Sequence, residues 1–340
     1  MSILRCDAIM ERMSGIPGLL RPGDAPGQVR PEDGPLEERS QFFIAAAKAS
    51  STRRAYQSDW DDFQAWCARH ARSALPAQPS TVALYLADLA STHRPATLSR
   101  RLSSIGLAHR IAALPSPASA QFPVVGETLK GIRRALGVAQ SGKIPLLTAD
   151  LKRLLAILPE SLCGIRDRAL LLLGFAGGFR RSELAAMRHE DLKEAEEGLV
   201  IRLRFSKTDP EGRGREVAIP RGSSAETCPV RAVRSWLEAA GVSEGPVWRA
   251  IDRHGRLNAA GLHPDSIGLI VKRAVRAAGL DPRLYAGHSL RAGLATQAYL
   301  NGASELAIMR QTGHRSLATV RRYIRNIGLF QDNAASRLGL

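Results

Sequence analysis

Cysteine is scarce in this 340-residue chain, and Cys6, Cys67, Cys163 and Cys228 lie far apart with no C-x-x-C pair. That pattern offers neither a disulfide framework nor a zinc site, so free thiols are expected and no metal is. Long apolar runs are missing too. The longest, Ala169 to Phe179, contains three glycines and falls well short of the ~20 residues that span a bilayer. The N-terminal stretch MSILRCDAIMERM has no basic segment leading into an apolar one, so no secretion signal is expected and a cytoplasmic protein is. Lysine is the third scarcity, at seven of the 48 basic residues, which leaves 41 arginines.

What is abundant is positive charge. The 48 basic residues face 32 acids, a formal net charge of +16. An arginine-rich coding bias with solvated faces would give such a number, but so would a polyanion partner, because guanidinium pairs bidentately with phosphate. The distribution separates these readings. Residues 1–40 hold five arginines and seven acids, a net −2, so +18 resides in 41–340. The basicity therefore belongs to the folded part and not to a tail.

The length suggests two domains of roughly 100–200 residues each. Residues 1–40, rich in Pro, Gly and charge, read as a flexible leader. Tyr56, Trp60, Phe63 and Trp66 recur at steps of three and four, the period of one buried helix face. Further helices are expected from Ser80 to Ser91, capped by Ser80 or Thr81, from Ala96 to Ala113 and from Val124 to Leu136. Residues 41–137 thus form a small all-α domain, and 138–146 a linker. Gly137-x4-Gly142-Lys143 in that linker imitates a Walker A loop. Ile144 stands where Ser or Thr must follow, and Pro145 forbids the next helix, so no nucleotide is expected there.

The second domain, 147–326, opens with Thr148-Ala149-Asp150 as an N-cap signature before Leu151, Leu154, Leu155 and Leu158. Ile165 to Phe175 is apolar on most sides and so central to the core. Leu199, Ile201, Leu203 and Phe205, then Val217 and Ile219 across a Pro/Gly turn, give the one clear alternation, a β-hairpin with Lys207 at its neck. Helices follow near 229–240, 265–279, 288–301, 304–312 and 317–325.

Polar residues gather in four short segments of this domain: Gly178-Phe179-Arg180-Arg181-Ser182-Glu183-Leu184, His288-Ser289-Leu290-Arg291, Thr312-Gly313-His314 and Arg322-Tyr323. Residues three apart share a helix face, so His288 and Arg291 can address one point. Singly, each has an ordinary explanation. Arg180 and Glu183 fit an i,i+3 ion pair, and a tyrosine near a C-terminus commonly packs its ring on the core. Order and spacing together say more. R-x-x-E, a lysine in a hairpin, H-x-x-R, G-H and a tyrosine nine residues later resemble the signature of the tyrosine recombinase (phage integrase) family, over essentially residues 41–335.

Within that family the pattern is most like the Cre-type site-specific recombinases. F-x-A-W-C at Phe63 to Cys67, L-P-A-Q-P at Leu75 to Pro79, and Tyr323-Ile324-Arg325-Asn326 carry that likeness. One departure is His314, where the Cre pattern has tryptophan; histidine is the commoner family residue. The resemblance implies a mainly α fold with a small β-sheet or hairpin. It pairs an N-terminal four-to-five-helix, SAM-like core-binding domain with a C-terminal tyrosine-recombinase catalytic domain. It also implies double-stranded DNA as partner, a monomer in solution that becomes a homotetramer on two DNA sites, and no membrane or cofactor.

The family's roles, carried over by resemblance, make Tyr323 the nucleophile that leaves a 3′-phosphotyrosine and a free 5′-hydroxyl. Arg180, Arg291 and His314 would bind the non-bridging oxygens, His288 would assist proton transfer at the tyrosine, and Lys207 would protonate the leaving oxygen. Glu183 would be a support, holding its helix or an arginine. Residue types agree with this independently: phosphoryl transfer needs fixed positive donors around the phosphate, and a tyrosine with an ordinary pKa near 10 needs such surroundings to attack. Rejoining through a phosphotyrosine ester needs no ATP. The tail, 327–340, apolar at Ile327, Leu329, Phe330, Leu338 and Leu340, packs on its own domain or docks in a neighbouring protomer. Arg53, Arg54, Arg100, Arg101, Arg133 and Arg134 are the DNA-contact candidates of the helical domain. Two alternatives accompany this reading: type IB topoisomerase-like DNA relaxation, and a catalytically silent DNA-binding accessory protein.

Overall fold

A computed structural model describes residues 49–138, 142–206, 209, 212–324 and 338. The expectations for the leader 1–40, for Lys207 and for most of the 327–340 tail lie outside these residues. The chain divides into two compact units at residues 140–141.

The first unit contains α1 (Ser50–Arg69), α2 (Pro79–Leu89), α3 (Pro95–Ile111) and α4 (Pro123–Leu136). The last three open on a proline at the first helical position, where the missing N–H is no loss and the fixed φ suits the helix. The expected cap at Ser80 or Thr81 is therefore corrected: Pro79 starts α2, Gln78 is its N-cap, and no side chain caps it. Trp60, Phe63 and Trp66 turn inward onto Tyr85, Leu86, Leu98 and Ile105, each such side chain contributing on the order of 2 kcal/mol of burial. Tyr56, on the same stripe, is only half-buried.

The second unit begins with α5 (Thr148–Ala156), α6 (Leu162–Gly177), the short α7 (Arg181–Ala185) and a 3-10 turn at His189–Asp191. Strands β1 (Leu192–Glu194), β2 (Gly198–Leu203) and β3 (Arg215–Pro220) form an antiparallel sheet in the order β1-β2-β3. After α8 (Pro229–Ala239) comes a second pair, β4 (Arg249–Ile251) with β5 (Leu257–Gly261). Helices α9 (Pro264–Ala277), α10 (His288–Leu300), α11 (Glu305–Thr312) and α12 (Leu317–Ile324) follow.

Helix α6 is the central pillar, with Ala169, Leu170, Leu171, Leu172 and Leu173 all buried, and it packs against α8 and α10. In the hairpin, Leu199 faces Ile219, Ile201 faces Val217 and Leu203 faces Arg215; the apolar members are all buried. Two additions correct the single-hairpin expectation. Strand β1, three residues long, extends the sheet, and β4–β5 forms apart from it. Neither could show alternation, because β1, β4 and β5 bury none of their residues fully.

The start of α5 also differs. Leu147 is its N-cap and no local side chain closes it; instead the Thr148 N–H donates to Gln297 Oε1 of α10 at 3.2 Å. A tertiary acceptor replaces the local one, which sequence spacing cannot reveal. Among the described residues no helix is long and apolar enough to cross a membrane. Cys67 and Cys228 are buried and Cys163 half-buried, all with free thiols.

Candidate active site

All described members of the polar constellation lie in the second unit, on the ends of five elements. Helix α6 ends at Gly178, whose φ of 57° is the left-handed conformation that favours glycine. A Cβ there would also come within 2.5 Å of Leu294 Cδ2. The freed carbonyl of Gly178 accepts from Arg291 Nη1 at 2.6 Å. Arg180 then serves as the N-cap of α7. Its backbone N–H donates to Glu183 Oε2 at 2.9 Å, and its guanidinium donates to Glu183 Oε1. Glu183 is fully buried, so one carboxylate both closes the helix and aims the arginine.

Helix α10 supplies His288 at its first turn and Arg291 one turn on. Arg291 is 1% exposed, and burial with the nearby Arg180 charge brings its pKa down to about 10. Its second nitrogen, Nη2, lies 3.0 Å from His314 Nε2. His288 Nε2 is 2.7 Å from the Tyr323 hydroxyl on α12. Burial first, then Arg291, Arg180 and Arg181, hold the pKa of His288 below its ordinary value. A neutral ring can accept the phenolic proton at Nε2. The Tyr323 ring sits between two imidazoles, 5.5 Å from His288 and 5.6 Å from His314 between centroids. Val320 and Ile324 hold α12 in place by packing with Ala295 and Ile308.

His314 follows Gly313, the left-handed C-cap of α11 at φ 67°. Burial, then Arg291, Arg180, His288 and Arg215, push its pKa down to about 3. The end of α11 is pinned from two sides. Gln311 Nε2 donates to Ala176 O and Ala218 O, each at 3.2 Å. Arg215, at the start of β3, donates to Gln311 O at 3.1 Å and Thr312 O at 3.4 Å. A recess of about 490 Å³ opens beside His314, with Arg213, Arg215, Arg310 and Arg315 in its lining.

The structure thus joins His288, Arg291, His314 and Tyr323 by direct contacts, with the Arg180–Glu183 pair close enough to act electrostatically on Arg291, while Lys207 lies outside the described residues. Sequence reasoning overlooked Arg215 and the hydroxyl of Thr312. Thr312 lay in a quoted segment without a role, and Arg215 carried no signal among 41 arginines.

The DNA-contact candidates fare unevenly. Arg101 is spent inside the first unit: its side chain is 12% exposed, and it pairs with Asp62, Asp59 and the Tyr85 hydroxyl. Arg100 donates to Asp59 at 2.5 Å and Ala55 O at 3.2 Å. Arg133 reaches Ser99 Oγ at 3.0 Å. Arg54 and Arg134 are exposed, and Arg53 is half-buried.

Comparison with known proteins gives a consistent result. Residues 146–327 match the phage integrase family. The chain is 43% identical over 297 residues to an integrase/recombinase XerD homolog of Selenomonas ruminantium, covering 87% of each. It is 24% identical over 283 residues to the recombinase Cre of Escherichia phage P1, covering 77% of this chain and 80% of Cre. Of these two, the XerD homolog is the nearer. In fold the chain resembles the XerH site-specific recombinase bound to a palindromic difH substrate, with a TM-score of 0.63 at 19% identity over 87% of this chain and 84% of that one. It also resembles a lambda integrase dimer bound to a COC′ core site, with a TM-score of 0.57 at 16% identity over 85% and 75%.

Proposed function

This chain belongs to the phage integrase family and is a site-specific tyrosine recombinase; from that premise we propose that Tyr323 cuts and rejoins duplex DNA through a covalent 3′-phosphotyrosine. The observation that carries the proposal is the 2.7 Å contact of the Tyr323 hydroxyl with His288 Nε2, beside the guanidinium groups of Arg180 and Arg291 and the neutral ring of His314. In the cleavage step the Tyr323 oxygen attacks phosphorus as its proton passes to His288. The bond from phosphorus to the 5′-oxygen breaks, and Lys207 supplies the proton to that leaving oxygen. Arg180, Arg291 and His314 stabilise charge on the non-bridging oxygens, as fixed donors do best in a partly buried site. The ester keeps the energy of the broken bond, so rejoining runs without ATP.

Tyr323 reaches His288 of its own chain, so each protomer carries the described part of its own site. Strand exchange then uses four protomers on two DNA sites, with 327–340 as the segment linking neighbours. The helical unit gives a second hold on the duplex through exposed arginines such as Arg54 and Arg134, while Arg101 serves its interior. Relatives named as recombinases over most of this chain favour strand exchange over type IB relaxation and over a silent accessory role. The test is a nicked suicide substrate bearing the cognate site. The wild-type protein should accumulate a covalent adduct, and Tyr323→Phe should bind that DNA equally well and form none. An adduct with Tyr323→Phe would overturn the assignment.

A further inference from the structure

Thr312 closes α11 with a fully buried side chain that takes no part in the reaction above. Its Oγ1 lies 2.7 Å from Ile308 O and 2.7 Å from His314 Nδ1. A hydroxyl has one proton to give, and a carbonyl oxygen can only accept. The Thr312 proton therefore goes to Ile308 O, and Oγ1 offers a lone pair to Nδ1, which must carry hydrogen. The far side of the ring leads independently to the same state. Arg291 Nη2 lies 3.0 Å from Nε2, and a guanidinium can only donate, so Nε2 bears the lone pair. Two contacts from two elements agree on one tautomer.

We propose that Thr312 is a positioning residue that fixes His314 as the Nδ1–H tautomer, so that Nε2 is the ring atom offered to Arg291 in the free protein and to the scissile phosphate in the complex. This rests on the reading of His314 as a phosphate-binding residue. The charged and titratable groups facing the ring are Arg291 and His288 from α10, Arg180 from the start of α7, Arg215 from β3 and Tyr323 from α12. With so much positive charge around it, the ring is neutral while DNA is absent. A bound phosphodiester brings negative charge and takes the Arg291 Nη2 donor onto one non-bridging oxygen, which frees Nε2 to take a proton from solvent and donate it to another. Nδ1–H still points at Thr312 Oγ1, so one hydroxyl serves both protonation states and the ring need not turn. An Nε2–H neutral ring would instead set its hydrogen against those of the buried Arg291 guanidinium and leave Nδ1 without a donor.

The experiment is nitrogen-15 NMR of histidine-labelled full-length protein, joined to adduct formation on the suicide substrate. Free wild-type protein at pH 7 should show His314 neutral with hydrogen on Nδ1; hydrogen on Nε2 overturns the proposal whatever the variants do. Thr312→Ser should keep that signature and form adduct within twofold of the wild-type rate. Thr312→Val, nearly equal in shape, should lose the single-tautomer signature and slow adduct formation at least tenfold with DNA affinity unchanged. A slow Thr312→Val that retains the wild-type tautomer signature reduces Thr312 to a packing role and overturns the proposal, as does a Thr312→Ser as slow as Thr312→Val. Failure of the wild-type protein to form any adduct would instead count against the nucleophile reading, since the NMR result does not depend on it.

Discussion

Gly313→Ala is expected to cost far more than a glycine substitution of the same backbone conformation elsewhere. Gly313 has a φ of 67°, and a Cβ there would lie 2.8 Å from Arg215 Nε and 2.9 Å from its Cζ. Forcing alanine into the left-handed region costs about 1–2 kcal/mol. The Arg215 guanidinium can move aside only by giving up its bonds to Gln311 O and Thr312 O. A hydrogen bond from a charged donor contributes about 1.5–3 kcal/mol, so with the 3.4 Å contact to Thr312 O counted as negligible the total comes to about 2.5–5 kcal/mol. Gly279 has a φ of 74° with nothing within 4 Å of its would-be Cβ, so Gly279→Ala isolates the strain alone. Urea unfolding of both variants should therefore show Gly313→Ala less stable than Gly279→Ala by about 2 kcal/mol. Adduct formation should fall at least tenfold for Gly313→Ala and stay near wild type for Gly279→Ala, because only Gly313 precedes His314. Equal stability losses would refute the claim that Arg215 clamps the end of α11.

Two further outcomes follow from the same geometry. His314 is held neutral with its pKa near 3, whereas an unfolded histidine titrates near 6.5, so below neutral pH the unfolded chain takes up a proton that the folded one refuses. Stability is then complete above about pH 7 and is lost as pH falls. Between pH 7.5 and 5.5 the wild-type protein should lose about 1 kcal/mol more than His314→Gln, after discounting for the ring's partial exposure; equal losses on urea unfolding at the two pH values would contradict it. In the helical unit, Arg134→Ala should lower DNA affinity and flatten its salt dependence by about one counterion without affecting the melting temperature. Arg101→Ala should lower the melting temperature first; the reverse pattern would show that the two arginines had been given each other's roles.

The polar constellation of the second unit was legible because the chemistry proposed for it depends on residue type at fixed spacing. H-x-x-R places His288 and Arg291 on one side of α10, and glycine before His314 marks the helix end that presents it. Glu183 could be seen as a support for its helix or for an arginine, but that one carboxylate does both depends on where the Arg180 backbone N–H lies. The pairing of Arg101 within the first unit was not foreseen although its phase was readable: Leu98, Arg101 and Ile105 step by three and four along the buried face of α3. Its partners Asp59 and Asp62 lie on α1, and that pairing emerges only from the packing of the two helices. The β4–β5 pair and Arg215 left no trace at all. The first lacks a buried alternation, and the second acts on backbone carbonyls about 96 residues away in sequence.

The central claim is that one named oxygen carries the DNA. The most direct measurement is tryptic digestion of the adduct trapped on a suicide substrate, followed by mass spectrometry of the nucleotide-bearing peptide. The account predicts a single linked peptide, Tyr323-Ile324-Arg325, joined through the phenolic oxygen to a 3′-phosphate. Linkage at any other residue, or to a 5′-phosphate, would contradict it.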